Sequence, residues 1–292
     1  MYPGSVVVTG ANGQIGRSTL AVLAKSGVKP TALVRGRESL ADCTTVGDWL
    51  ASDVALRAIR GAEAVVHLAG TLNPPDGDYE NANIIPTERL ARALDPRRTR
   101  RLIFLSYVGA SEKSRNQYLK TKGRAERLLR ETQIPLTVFR CTHIIGSPDA
   151  PGPTASAMLL GGKSSVTVLG SGKQRVTPVF VGDVVAAILA ALESDQSGTF
   201  DLQGPEEMSI DDLVRILNRS DRVRISHVPG LVARSLQFLG PKLPGALIDV
   251  MLNDCRSENP TAQSAFDLPL TSLHRVWASS RSADCCKDRA GC

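Results

Sequence analysis

Val6-Val7-Val8-Thr9-Gly10-Ala11-Asn12-Gly13-Gln14-Ile15-Gly16 is the stretch that decides the fold. The apolar run reads as a buried strand. It leads straight into glycines spaced G-x-x-G-x-x-G, and residues 17–26 follow as a helix. Strand, glycine turn and helix in that order make a nucleotide-binding unit. Gly10 permits the tight turn, Gly13 lets backbone approach a diphosphate, and Gly16 lets the helix pack close to the strand. The start of the helix offers free N–H groups and a favourable dipole to an anion. Asn12, Gln14 and Ile15 lie between the glycines and join them as candidate cofactor-binding residues. The spacing departs from the usual G-x-G-x-x-G, so the signal lies in its placement. A glycine turn without a ligand is the alternative.

Moving outward, the second strand, Thr31-Ala32-Leu33-Val34, ends in Arg35-Gly36-Arg37. A dinucleotide without a 2′-phosphate usually meets an acidic residue here. Two guanidiniums instead suit a 2′-phosphate, so Arg35 and Arg37 favour NADP(H) over NAD(H). Either arginine could equally stack on adenine or point into solvent. A third strand at 43–47 is followed by Asp48. Its carboxylate could accept from an adenine amino group or cap the helix at 53–60. The fourth strand, Ala64-Val65-Val66-His67, runs into Leu68-Ala69-Gly70. That turn would approach a cofactor backbone to backbone, with His67 a packed strand residue. Asn83 stands early in a helix at 79–94, where it bonds nearby backbone or orders the catalytic region.

Strands at 101–105 and 136–140 extend the alternation, with every crossover long enough for a helix. The fold class is α/β: a Rossmann-type doubly wound parallel sheet with a smaller C-terminal α/β substrate lobe. The expected division is 1–140 for the dinucleotide-binding domain, 141–277 for the lobe and 278–292 for a disordered tail. Strands and helices of the lobe are free to return to the main sheet. Asp183 reads as the N-cap of a helix at 183–193, and Ser209 as that of the next. Thr142, His143, Ile144, Arg175 and Pro178 are candidates to line the lobe's pocket.

Asn116-Gln117-Tyr118-Leu119-Lys120-Thr121-Lys122 carries the chemistry. Tyr118 and Lys122 are one helical turn apart and share a face. A phenol is a poor base near neutral pH, and an adjacent ammonium favours its phenolate. Lys122 could also hold a ribose. Ser106, at the end of the fifth strand, could donate to a substrate carbonyl while Tyr118 passes the proton. Ser111 is the rival serine. The bland reading is a packed tyrosine with a helix-surface lysine.

The chain has 292 residues, 42% of them hydrophobic, and a formal charge of +6. That supports one large domain or two unequal ones, and a preference for anionic ligands. Arg97-Arg98-Thr99-Arg100-Arg101 is basic but precedes a strand, which reads as a solvated loop. No aromatic–basic interleaving accompanies it, so specific nucleic-acid binding is not expected. No secretory signal and no apolar run of about 18 residues is apparent. The six cysteines form no disulfide framework, which points to the cytoplasm or another reducing compartment. No metal site is expected.

The segments TGANGQIG (9–16), HLAG (67–70), LIFLSYVGAS (102–111) and YLKTK (118–122) resemble the short-chain dehydrogenase/reductase superfamily in its extended and atypical branches. These branches include NAD-dependent epimerase/dehydratase-like and NmrA-like proteins and the peripheral NADPH-binding subunit of respiratory complex I. The likeness covers about residues 5–220. It implies a nicotinamide cofactor, Ser/Tyr/Lys catalysis by Ser106, Tyr118 and Lys122, and a basic NADP-selecting residue at Arg35. The stretch from Ser106 to Tyr118 is shorter than in extended members. NmrA-like regulators generally lack the tyrosine–lysine pair retained here. Three readings follow. The first is an NADP(H)-dependent oxidoreductase or epimerase-like enzyme on a hydroxyl/carbonyl substrate such as a nucleotide-linked sugar. The second is a non-catalytic NADPH-binding structural or assembly subunit with a protein partner at the periphery of a membrane complex. The third is an NADP(H)-sensing regulator.

Overall fold

The computed structural model describes residues 4–161, 164–235 and 243–279. Of the expected tail, Ala278 and Ser279 end the last helix, and residues 280–292, with Cys285, Cys286 and Cys292, lie outside the described residues. The chain opens with β1 (Val6–Thr9), α1 (Gln14–Lys25), β2 (Thr31–Leu33), β3 (Thr44–Val46), α2 (Asp53–Gly61) and β4 (Ala64–His67). A π-turn at Glu80–Ile84 runs into α3 (Ile85–Ala93), then come β5 (Arg101–Tyr107), α4 (Gln117–Arg130) and β6 (Leu136–Cys141). Next are β7 (Ile144–Ile145), α5 (Thr154–Ala157), β8 (Ser165–Leu169), β9 (Arg175–Val176), β10 (Val179–Phe180) and α6 (Val181–Glu193). The rest is β11 (Gly198–Leu202), β12 (Met208–Ser209), α7 (Ile210–Asn218), β13 (Arg224–Val228), α8 (Gly230–Ser235), α9 (Gly245–Leu252), α10 (Ala262–Ala265) and α11 (Leu273–Ser279).

Seven parallel strands lie in the order β11-β6-β5-β4-β1-β2-β3. The chain runs outward from β1 to β3, returns to pair β4 with β1, and runs outward the other way. The switch point therefore falls between β1 and β4, where α/β sheets bind ligands at the strand ends. Val6 pairs with Ala64 and Thr9 with His67. The local reasons are simple. Ser52 caps α2 by accepting from the Ala55 N–H, Asn116 caps α4 from Leu119, and Ser209 caps α7 from Asp212. Pro86 starts α3, where its missing N–H costs nothing. Val7, Leu33, Trp49, Ile59, Val65, Leu90, Phe104, Leu129 and Val138 form one buried core.

Two expectations change here. Residues 34–43 link β2 to β3 without a helix. Asp48 does not cap α2; it sits in a left-handed turn at φ 46° while Ser52 takes the cap.

The chain forms two compact units. The first is 1–141 with 184–202 and 259–268; the second is 142–183 with 203–258 and 269–292. In the first, Phe139 of β6 packs against Phe200 of β11 and Phe266. In the second, β7 pairs β10, β9 pairs β12 and β8 pairs β13. Asp183 lies inside α6 rather than capping it, and its carboxylate accepts from the Thr271 N–H and hydroxyl at 2.7 Å each. Among the described residues no helix is long and apolar enough to cross a membrane, and no cluster of His, Cys, Asp or Glu is placed to hold a metal ion.

Candidate active site

The turn after β1 is built so that side chains cannot enter it. Gly10 has φ 64°, and a Cβ there would lie 2.7 Å from the Ala69 nitrogen and from the Leu68 carbonyl carbon. A Cβ on Gly16 would collide with the Gly10 carbonyl and lie 2.7 Å from Ala11 backbone. Both obstacles are backbone, so neither can swing aside. The loops after β1 and β4 thus meet at the switch point through Gly10, Leu68 and Ala69. Gly13 differs: a Cβ would meet only the Gly10 oxygen, at 3.3 Å. Gly13 is also the N-cap of α1; no side chain caps it and no acidic residue sits in the first turn. Gln14 and Ile15 open that turn. The residues therefore fit a diphosphate at an open helix N-terminus.

Beside the turn is a charged rim. The Glu38 carboxylate accepts from Asn12 Nδ2 at 2.6 Å and from Arg17 at 2.8 Å. Arg17 Nε also donates to the Asn12 carbonyl. Arg37 Nε donates to Asp48 at 3.0 Å. Two expected cofactor residues are thus paired with one another, and Asn12 is held by a carboxylate that sequence reasoning missed. Arg35 is exposed and makes no hydrogen bond or ion pair among the described residues.

Beneath the β1–β4 junction runs a closed proton ladder. Thr87 Oγ1 donates to the Asn83 carbonyl at 2.7 Å, so it must accept from His67 Nε2–H at 3.0 Å. His67 Nδ1 then accepts from Thr9 Oγ1 at 2.7 Å, and Thr9 Oγ1 in turn accepts from the Ala69 N–H. The neutral Nε2–H tautomer follows from the partners. Burial, helped by the Lys122 charge, lowers the His67 pKa to about 3. Asn83, in the π-turn, accepts from the Thr71 N–H at 2.9 Å and donates to the Thr71 and Tyr79 carbonyls. It pins the loop following Gly70.

Tyr118 and Lys122 stand on one buried face of α4. Lys122 Nζ donates to the Leu105 carbonyl at 2.8 Å and lies 4.7 Å from the centre of the Phe104 ring and 5.9 Å from that of Tyr118. Desolvation lowers the Lys122 pKa to about 8, against upward pulls from Glu126 and Cys141. Ser106 has a buried carboxylate as its partner. Its hydroxyl donates to the buried Glu126 at 2.7 Å, and Glu126 also takes both arms of Arg140, at 2.9 and 2.7 Å, and Arg130 at 3.1 Å. The strand pleat explains this, because Leu102, Phe104 and Ser106 share one face of β5. Tyr107 is the last residue of β5, and its ring meets that of Tyr118 edge-on with centroids 5.6 Å apart. Sequence reading overlooked both Glu126, four residues beyond Lys122, and Tyr107.

In the second unit, Thr142 is buried and donates to the Thr177 carbonyl at 2.6 Å. His143 is buried, its pKa lowered to about 4 by desolvation. Arg175 borders a cavity of about 480 Å³ but is paired with Glu207 at 2.8 Å.

A family model described as the NAD dependent epimerase/dehydratase family matches residues 6–202. The NADH dehydrogenase (ubiquinone) 1 alpha subcomplex subunit 9 of Arabidopsis thaliana mitochondria is 30% identical over 226 residues, 72% of this chain and 56% of that protein. A ceramide reductase of Caulobacter vibrioides is 27% identical over 208 residues, 68% of this chain and 64% of that one. The chain thus spans less than two thirds of the length of these relatives. Among solved structures, MoeE5 in complex with UDP-glucose and NAD is 19% identical with a TM-score of 0.71, over 96% of this chain and all of that one. UDP-glucuronic acid 4-epimerase from Bacillus cereus, in complex with NAD, is 18% identical with a TM-score of 0.71, over 94% of this chain and 96% of that one. At these identities the likeness establishes the fold. With two thirds of its residues matched by the family model, the chain belongs to the NAD dependent epimerase/dehydratase family, within the short-chain dehydrogenase/reductase superfamily.

Proposed function

We propose that the chain is an NADP(H)-dependent oxidoreductase or epimerase-like enzyme acting on a hydroxyl or carbonyl substrate. The observation that carries this reading is the shared burial of Tyr118 and Lys122 on one face of α4. A buried ammonium beside a phenol favours the phenolate, which makes Tyr118 the proton carrier and Lys122 its electrostatic support. A nicotinamide dinucleotide supplies hydride exchange when bound. Gly10, Gly13 and Gly16, with Asn12, Gln14, Ile15 and the backbone of Leu68, Ala69 and Gly70, would hold its diphosphate and neighbouring groups. Arg35 is the selectivity residue, because Glu38 and Asp48 already engage the other rim cations Arg17 and Arg37. Ser106 takes a supporting part through Glu126 in this reading, not a direct contact with substrate. Nucleotide-linked sugars are the first substrates to try, since the fold neighbours hold UDP-glucose and UDP-glucuronic acid.

The second reading is a subunit that holds NADPH without turnover. It is supported by the complex I relatives of Arabidopsis thaliana and Neurospora crassa and by the engagement of Ser106 with Glu126. One set of measurements separates the two. NADPH and NADH are titrated by fluorescence, and oxidation is followed with UDP-sugars and simple carbonyl compounds. Arg35→Ala should weaken NADPH by about tenfold or more, a 1.4 kcal/mol effect, and leave NADH nearly unchanged. Tyr118→Phe should abolish turnover with cofactor binding intact. Equal losses for both cofactors defeat the selectivity assignment. Tight NADPH binding without oxidation by any member of the panel favours the second reading.

A further inference from the structure

We propose that Glu126 is a positioning residue that sets the charge of Lys122, that Ser106 holds its carboxylate in place, and that Arg140 fixes that carboxylate while offsetting part of its charge. Calling the supported pair reactive rests on the reading above; the electrostatic link itself does not. Tyr118, Lys122 and Glu126 succeed one another at four-residue intervals, so they form a single column along α4. All three are buried, at 8%, 6% and 1% exposure. Lys122 has no carboxylate within ion-pair distance among the described residues, and its ammonium rests on a neutral carbonyl. A cation so placed loses much of its hydration and needs a negative charge nearby. Glu126 is the buried carboxylate of the first unit among the described residues, one turn away.

The groups facing Lys122 come from every element around it. Tyr118 and Glu126 are on its own helix, His67 is on β4, the Phe104 ring and Leu105 carbonyl are on β5, and Cys141 is on β6. Asn83 of the π-turn adjoins it across Gly70, where an added Cβ would meet Asn83 Oδ1 at 2.6 Å and Lys122 Nζ at 3.3 Å. His67 is held neutral by its ladder, and of the two groups that pull the Lys122 pKa upward, Glu126 comes before Cys141. Glu126 therefore provides the standing negative charge. Its own protonation is opposed by the hydrogen bonds from Arg140, Ser106 and Arg130, which hold its pKa below the usual carboxylate value despite burial. Ser106, at the end of β5, thereby couples a strand-end hydroxyl to the lysine through a carboxylate.

The test is a pH titration of the cofactor-free full-length chain with carbon-13 lysine, following the Lys122 side-chain signal, which Lys122→Met identifies by its loss. In Glu126→Gln, which keeps an acceptor for Ser106, the Lys122 midpoint should fall by about one pH unit. In Arg140→Met, where the carboxylate is less neutralised, it should rise. A role confined to packing α4 on β5 and β6 would lower the unfolding midpoint in both variants and leave the lysine midpoint where it was; that result overturns the proposal. Should Glu126→Gln fail to fold, the double variant Glu126→Gln/Arg140→Met, which removes the buried pair together, is compared with Arg140→Met: an equal lysine midpoint in the two is equally fatal. Neither arm measures turnover. A chain without any enzymatic activity would still show the shift, so failure of the catalytic reading and failure of this one are told apart.

Discussion

His67 is a fully buried imidazole with both nitrogens engaged by threonines. Its place in the ladder demands the neutral form, and that makes acid a destabiliser. The folded-state pKa, about 3, lies below the ordinary 6.5, so the unfolded chain takes up the proton first as pH falls. Stability from this group is complete above about pH 6.5 and is lost progressively toward pH 3, at up to roughly 1.4 kcal/mol per pH unit. Denaturant unfolding between about pH 7 and pH 4 should show that slope, and His67→Gln should flatten it by about one proton. His143, also buried neutral, leaves its own slope behind in the variant. An unchanged slope in His67→Gln would remove the histidine from the ladder argument. At this scale the sequence was legible where a residue's role is local. Tyr118 and Lys122 share a face by helical spacing alone. Ser106 was not legible, because its partner comes from a helix packed on the strand and that partner is fixed by Arg140 on the neighbouring strand. Strand order must be known before those three can be brought together.

The β1–α1 turn separates two roles that glycines share on paper. Gly16 is required by packing, since backbone of Gly10 and Ala11 leaves its Cβ no room. Gly16→Ala should cost about 1–3 kcal/mol in stability, with cofactor binding falling as a consequence. Gly13 has φ −69°, an ordinary value for any residue, and its Cβ would press only mildly on one oxygen. Gly13→Ala should therefore unfold almost like the parent chain but bind NADPH about tenfold or more weakly, because its methyl stands where diphosphate would approach. Denaturant curves and NADPH titrations on the two variants check this. If Gly13→Ala binds NADPH as the parent does, the anion cradle is misplaced. The strand, turn and helix of this element were readable because their signals are contiguous. The helix-free crossover after β2 was not. Its length admits a helix, and only the packing of residues 34–43 decides that none forms.

For the whole molecule, connectivity in space parts from order in the chain. The first unit takes residues 184–202 and 259–268 from far beyond β6. β11 pairs with β6 along its length, from Gly198 beside Thr137 to Leu202 beside Cys141. Thr137 donates to the Gln196 carbonyl at 2.8 Å, and Arg101 reaches Ser194 and Asp195. Phe139, Phe200 and Phe266 close a three-ring cluster with centroids 5.0–6.4 Å apart. None of these partners was within reach of local sequence signals; 198–202 read as a strand, but nothing in it named β6 as its neighbour. A cut at residue 141, where the strand–helix rhythm loosens, would remove them all. It would leave β6 as an open, largely buried-type edge and strip the cover from Phe139, which is fully buried in the intact chain. Exposed edges of this kind pair with other chains. A fragment of residues 1–141 should therefore aggregate, or unfold in urea without a cooperative transition, while the full chain unfolds cooperatively. A soluble fragment with a sharp transition and native-like aromatic circular dichroism would mean that six strands suffice. In that case β11 and the phenylalanine cluster would be additions to a sheet already stable without them. The geometry argues the reverse, because five of the six residues of β6 are buried in the intact chain, as in a strand with neighbours on both sides.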